Sequence, residues 1–207
     1  MKITIFGATG TVGSLMVEKA LSQGHSVTAF ARQPSALTST HAALTRYAGD
    51  VLDQQVVSDA VLGHDAVLIA LGAGRKGTVR SEGTRNILDA MEQHGVRRLI
   101  CQSTLGAGDS HPLLNFFWKR IMFGLLLRPA FADHQAQEIY VKNSALEWTI
   151  VRPAAFTDGP STNSYKHGFA STQRKLSLKI SRSDVADFML KQLTDNTYLR
   201  QTPGLSY

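Results

Sequence analysis

Seven residues near the amino end, Gly7-Ala8-Thr9-Gly10-Thr11-Val12-Gly13, limit what this chain can fold into more than any other stretch. They separate Lys2–Phe6, a short apolar and β-branched run, from Thr11–Gln23, where Val12, Leu15, Met16 and Leu21 share one side of a helix. In that setting Gly7 turns the chain sharply off the strand, Gly10 bares the backbone for a close approach, and Gly13 lets the helix pack against the sheet. Unpaired amides of the first helical turn, backed by the helix dipole, then offer a seat for a diphosphate. A glycine triplet by itself is a weak sign, and the strand–turn–helix context is what gives it weight. The bland alternative is a glycine-rich turn that holds no ligand.

The rest of the chain alternates strands and helices. Ser26–Phe30, Leu44–Ala48, Ala66–Leu71, Arg98–Ser103 and Thr149–Val151 read as strands. A short helix near Pro34–Ala43, another over Val56–Leu62, a third carrying Ile87, Leu88 and Met91 inward before Gly95, and a last one over Asp184–Leu193 with Ser183 as its cap lie between or after them. This order predicts an α/β fold: a doubly wound, mostly parallel sheet of Rossmann type. Residues 1–207 then form a single domain with a small substrate-side region towards the carboxyl end. The stretch Thr104–Ala132, rich in aromatic residues, fits no simple crossover; it reads as a helix packed on the sheet or an oligomer contact, or as a lid.

Composition narrows the partners. The chain has 207 residues, 43% of them hydrophobic, enough for one substantial core. Its single cysteine, Cys101, excludes an internal disulfide. No secretory signal or spanning segment is evident, so a cytoplasmic protein without membrane association is expected. The net charge of +6 is scattered along the sequence, which argues against a nucleic-acid partner; a homo-oligomer is compatible with the sequence. No metal-ligand spacing, nucleophile elbow or P-loop lysine is present.

Two further features refine the ligand. A dinucleotide fold that prefers NAD places an acidic residue after the second strand; here Arg32 stands there, suited to a 2′-phosphate, so NADP(H) is favoured over NAD(H). An arginine that merely faces solvent is the alternative. Asp50-Val51, after the third strand, is placed to border an adenine, and Leu71-Gly72-Ala73, after the fourth, lets a cofactor lie close across the strand ends. The cofactor-binding set from the turn is Gly7, Thr9, Gly10, Thr11 and Val12.

The sequence from Gly7–Gly13 through Arg32, Gly49-Asp50, Cys101-Gln102-Ser103 and Asp133-His134 to Trp148-Thr149-Ile150-Val151-Arg152-Pro153 resembles the NmrA-like atypical short-chain dehydrogenase/reductases, within them the biliverdin IXβ reductase/flavin reductase group. The glycine spacing G-x-x-G-x-x-G and Thr157-Asp158-Gly159-Pro160 agree with it, and the aromatic segment is where the chain departs from it. The resemblance implies that Ser103 lies near a nicotinamide, that Pro153, Ala154 and Ala155 line its carboxamide, and that Asp133-His134 sit by the cofactor edge. Ser103 and His134 are the catalytic candidates; a hydroxyl bonding local backbone and a solvent-facing histidine are the alternatives.

Carbonyl-reducing short-chain enzymes use a tyrosine with a lysine four residues on. None of Tyr47, Tyr140, Tyr165, Tyr198 or Tyr207 has one, so ketone reduction is disfavoured. Hydride transfer to a flavin, quinone or biliverdin-like acceptor needs no such acid, because the conjugated system spreads the incoming charge. The expectation is an NADPH-dependent reductase of a planar acceptor; the alternative is a non-catalytic NADP(H) sensor.

Overall fold

In the computed structural model, residues 1–72, 77–173 and 175–207 are described. The elements are β1 (Lys2–Phe6), α1 (Gly13–Ser22), β2 (Ser26–Ala31), β3 (Leu44–Ala48), α2 (Gln54–Val61), β4 (Ala66–Ile69), α3 (Val79–His94), β5 (Arg98–Gln102), α4 (Arg128–Asn143), β6 (Glu147–Pro153), β7 (Ala155–Thr157), β8 (Lys166–His167), β9 (Lys179–Ser181), α5 (Arg182–Lys191) and β10 (Gly204–Ser206).

Eight strands form one sheet in the order β3-β2-β1-β4-β5-β6-β10-β8, parallel throughout except for β8 against β10. The chain winds outward from β1 in one direction and resumes at β4 in the other. That reversal opens a crevice at the carboxyl ends of β1 and β4, the place where ligands bind in open α/β sheets.

Strand alternation divides the core into two layers. Ile3, Ile5, Leu68 and Ile100 face α1 and α5, packing with Met16, Val17, Val185 and Met189. Phe6, Val67, Ile69, Leu99 and Cys101 face α2, α3 and α4, packing with Val57, Ile87, Met91 and Val141. Buried on both faces, β4 reads as an unbroken apolar run for this reason.

Three expectations about elements need correction. The helix near Pro34–Ala43 is a single tight turn, Pro34–Ala36. Beyond it the polar run Thr38-Ser39-Thr40-His41 gives a helix no apolar face to bury, and Arg46 ties the Leu37 carbonyl instead (3.0 Å). The cap of α5 is Ser181, whose Oγ accepts from the Asp184 amide at 3.0 Å, because β9 runs straight into the helix; Ser183 bonds the Ser161 hydroxyl at 2.7 Å. The stretch 104–132 combines a tight turn, Gly108–Leu113, a wide helix, Phe117–Leu126, and the start of α4. In the wide helix the Leu127 amide reaches back five residues to the Met122 carbonyl at 2.7 Å. No described helix is long and apolar enough to cross a membrane.

Candidate dinucleotide and acceptor site

The turn after β1 is held from behind and bare in front. Gly7 and Ala8 donate their amides to the Phe30 carbonyl (3.2 Å each) and Gly10 donates to Gly7 (2.9 Å). Gly7 has a φ of +81° and backs onto the Ala70 carbonyl; a Cβ at Gly13 would collide with the Gly7 carbonyl oxygen. At Gly10 an added Cβ would meet that oxygen at 3.1 Å, a tight contact but a far milder one than at Gly13. No side chain caps the amino end of α1, and the amides of Thr9, Thr11 and Val12 find no acceptor among the described residues. An N-terminus with free donors and a favourable dipole attracts an anion.

Two cavities meet at this turn. The larger, about 650 Å³, is bordered by Gly7, Thr9, Phe30, Arg32, Asp50 and Val51. The smaller, about 320 Å³, is bordered by Thr11, Val12, Ser103, His134, Pro153, Ala154 and Ala155. Gly10, Ala70, Leu71 and Gly72 border both, so the two form one continuous trough across the strand ends. The structure thus gathers the expected site residues around one crevice, apart from Ala73, which lies outside the described residues. Arg32 is exposed and has no ion-pair partner among the described residues. Asp50 Oδ1 accepts from the Leu52 amide at 3.0 Å, which fixes the carboxylate at the rim of the larger cavity.

The smaller cavity carries polar groups in an apolar wall. Ser103 is held by its amide to the Val151 carbonyl (2.8 Å), yet its buried Oγ makes no hydrogen bond of full geometry, although it lies near enough to Glu138 to help keep that carboxylate ionised. Gln102 Oε1, Arg80 Nε and His134 Nδ1 are likewise buried without a partner, and all four residues border the cavity. Buried polar atoms are normally satisfied, so a group of such atoms beside one cavity sets this wall apart from the rest of the core. His134 is not a solvent-facing residue: burial, and then the charge of Arg80, push its pKa down to about 4, leaving the imidazole neutral at pH 7.

Asp133, expected beside the cofactor edge, borders neither cavity, though its neighbours Arg80 and His134 border the smaller one. It is 3% exposed and accepts from the Arg80 amide (3.1 Å), the Ser81 amide (2.9 Å) and the Ser81 hydroxyl (2.7 Å). It therefore fastens the amino end of α3 to α4, satisfying donors that the helix itself cannot. Arg80 joins it through a longer contact, 3.4 Å.

Sequence reasoning missed several wall residues. Arg80 lies in the first turn of α3, and nothing in linear order shows that its side chain folds back into the crevice. Gln102 precedes Ser103 at the end of β5, so its adjacency was the available signal. Leu114, Trp118, Phe123 and Leu127, from the aromatic segment, close one side of the smaller cavity, and Phe156 and Leu178, from the region around β7 and β9, close another. Behind this wall Arg152, 1% exposed, pairs with Glu138 through Nε (2.8 Å) and Nη2 (2.6 Å) and with Asp109 through Nη1 (2.5 Å). Burial alone would raise the Glu138 carboxyl, but the bonds and charge of Arg152 hold it below its ordinary range. None of the five tyrosines borders either cavity.

Comparison with known proteins follows this geometry. UPF0659 protein YMR090W of Saccharomyces cerevisiae is 27% identical over 224 residues, spanning 99% of this chain and 92% of its own. ChuY of Escherichia coli O157:H7, an anaerobillin reductase, has 25% identity and a TM-score of 0.82, with 99% of this chain and 96% of that one covered. A short-chain dehydrogenase/reductase of Veillonella parvula, solved in complex with NADP, shares the fold at a TM-score of 0.84 and 18% identity, covering 100% and 94% of the two chains. The family described as NAD(P)H-binding matches residues 7–196, and this chain belongs to it.

Proposed function

We propose that the protein is an NADPH-dependent reductase that delivers hydride to a planar conjugated acceptor of flavin, quinone or biliverdin type. The observation that carries this reading is the continuous trough: a polar-rimmed cavity and an aromatic-walled one meet at a glycine turn with bare amides.

The residues present fit the dinucleotide. Arg32 would pair with the 2′-phosphate, Asp50 and Val51 would border the adenine, and the turn from Gly10 to Val12 would hold the diphosphate. Leu71 and Gly72 border both cavities, at the centre of the trough. Ser103, Pro153, Ala154 and Ala155 would border the nicotinamide. Bound NADPH supplies the hydride. The protein's part is positional: Trp118 and Phe123 offer flat apolar walls on which a conjugated ring can stack. His134, neutral at pH 7, serves as a hydrogen-bonding group and not as an imidazolium acid, and the proton reaches the reduced acceptor from water. The absence of any tyrosine at the cavity agrees with an acceptor that spreads its own charge. ChuY, a reductase by description, supports the same chemistry, and the flavin or biliverdin group named above is the finer assignment.

The test is NADPH oxidation followed with FMN, a soluble quinone and biliverdin. Turnover with at least one acceptor, lowered by Trp118→Ala more in KM than in kcat, is expected. Tight NADPH binding with no turnover above background on all three overturns the reductase reading and leaves a dinucleotide sensor.

A further inference from the structure

The wide helix that walls the smaller cavity has a second face. Phe116 is 74% exposed, Phe117 50%, Ile121 39%, Leu125 72% and Leu126 49%, and no residue of Phe117–Leu126 is buried. Large apolar side chains scattered singly on a surface need no explanation; a contiguous set on one short helix does. Its inner face is already occupied by Trp118 and Phe123 at the cavity, so this outer face is not part of the core.

Charge decides what fits it. Lys119 and Arg120 interrupt the apolar run and Arg128 follows it, whereas no acidic residue occurs between Asp109 and Asp133. Arg120 and Arg128 are exposed, and neither is ion-paired among the described residues. Two copies of the chain meeting face to face here would set these cations against themselves, with no carboxylate between to relieve them. Apolar side chains flanked by unpaired cations instead match the boundary of an anionic bilayer, where rings and aliphatic groups enter the acyl region and cations stay with the headgroups. The sequence reading expects no membrane association, in part because the basic residues look scattered in linear order; in the structure exposed Arg120, within the apolar helix, and exposed Arg128, just beyond it, flank the patch, while Lys119 donates to the Pro112 carbonyl at 3.3 Å.

We propose that Phe116–Leu126 is an interfacial anchor that docks the protein on an anionic lipid surface without crossing it. Co-sedimentation with phosphatidylcholine vesicles, and with vesicles that also contain phosphatidylglycerol, tests this. The protein is expected to bind the phosphatidylglycerol vesicles at low salt and to be released as salt rises. Arg120→Gln/Arg128→Gln is expected to lower the partition coefficient about tenfold or more. Phe116→Ser/Leu125→Ser, neither residue bordering a cavity, is expected to abolish binding while circular dichroism and the unfolding transition stay unchanged. No binding to phosphatidylglycerol vesicles, or binding that survives Phe116→Ser/Leu125→Ser, overturns the proposal. So does a wild-type dimer without lipid affinity that the same double substitution converts to a monomer in size-exclusion chromatography with light scattering; the face is then a self-association surface.

Discussion

Gly10 and Gly13 lie three residues apart and answer to different demands. A Cβ at Gly13 has the Gly7 carbonyl in its way, so Gly13→Ala is expected to cost about 3 kcal/mol of stability or more, read by urea unfolding. At Gly10 a Cβ would press on the same oxygen at 3.1 Å, which a shift of a few tenths of an ångström relieves. Gly10→Val is therefore expected to lower stability much less than Gly13→Ala while NADPH affinity falls by more than about a hundredfold, as two charge-assisted bonds to the diphosphate would be blocked. Arg32→Glu replaces an unpaired cation at the rim with a charge that repels a 2′-phosphate. Calorimetric titration is expected to show about a hundredfold weaker NADPH binding with NADH changed far less; equal losses would remove Arg32 from that role. His134 gives a stability signature. Its folded pKa of about 4 lies below the ordinary histidine value of about 6.5, so the unfolded chain binds the extra proton between these values. Stability is expected to fall as pH drops from about 6.5 to 4, by up to roughly 3 kcal/mol, and His134→Gln should flatten that slope in denaturant titrations at stepped pH.

At the scale of elements, α4 ties the site together. On one helix Asp133 fastens α3, His134 borders the smaller cavity, and Glu138 holds Arg152 at the end of β6. The two carboxylates of the Arg152 pair should behave differently. Glu138 is 3% exposed in its side chain, and Glu138→Gln would leave a buried guanidinium short of its counter-charge, an expected loss of about 3–5 kcal/mol. The Asp109 side chain is 80% exposed, so Asp109→Asn should cost less than about 1 kcal/mol. Thermal and urea unfolding of the two variants checks the contrast. Element boundaries were legible where local chemistry decides them: β1, β3 and the Gly95 stop, which has a φ of +70°, lie where the sequence puts them. The cap of α5 was misplaced by two residues because both Ser181 and Ser183 can cap, and β9, invisible as a three-residue run, chooses between them.

For the whole molecule, the site is made by convergence. The trough draws on the turn after β1 and the ends of β2, β3, β4, β5 and β6, so a ligand bound there bridges both halves of the sheet. Saturating NADPH at about 100 times its Kd is expected to stabilise the native state by roughly 2.7 kcal/mol, and hence to raise Tm by several degrees in one cooperative transition. An unchanged Tm would count against the trough as the dinucleotide site. From linear order alone came the doubly wound sheet, the glycine turn between β1 and α1 and the place of Arg32, because hydrophobic period, glycine spacing and strand-end position are local properties that neighbours a few residues away suffice to express. Arg80 at the crevice, Asp133 fastening α3 to α4, the Arg152–Glu138–Asp109 ties and the exposed apolar face of the wide helix came from tertiary structure alone. Each depends on which distant side chains share a buried space, and burial is a property of the packed molecule.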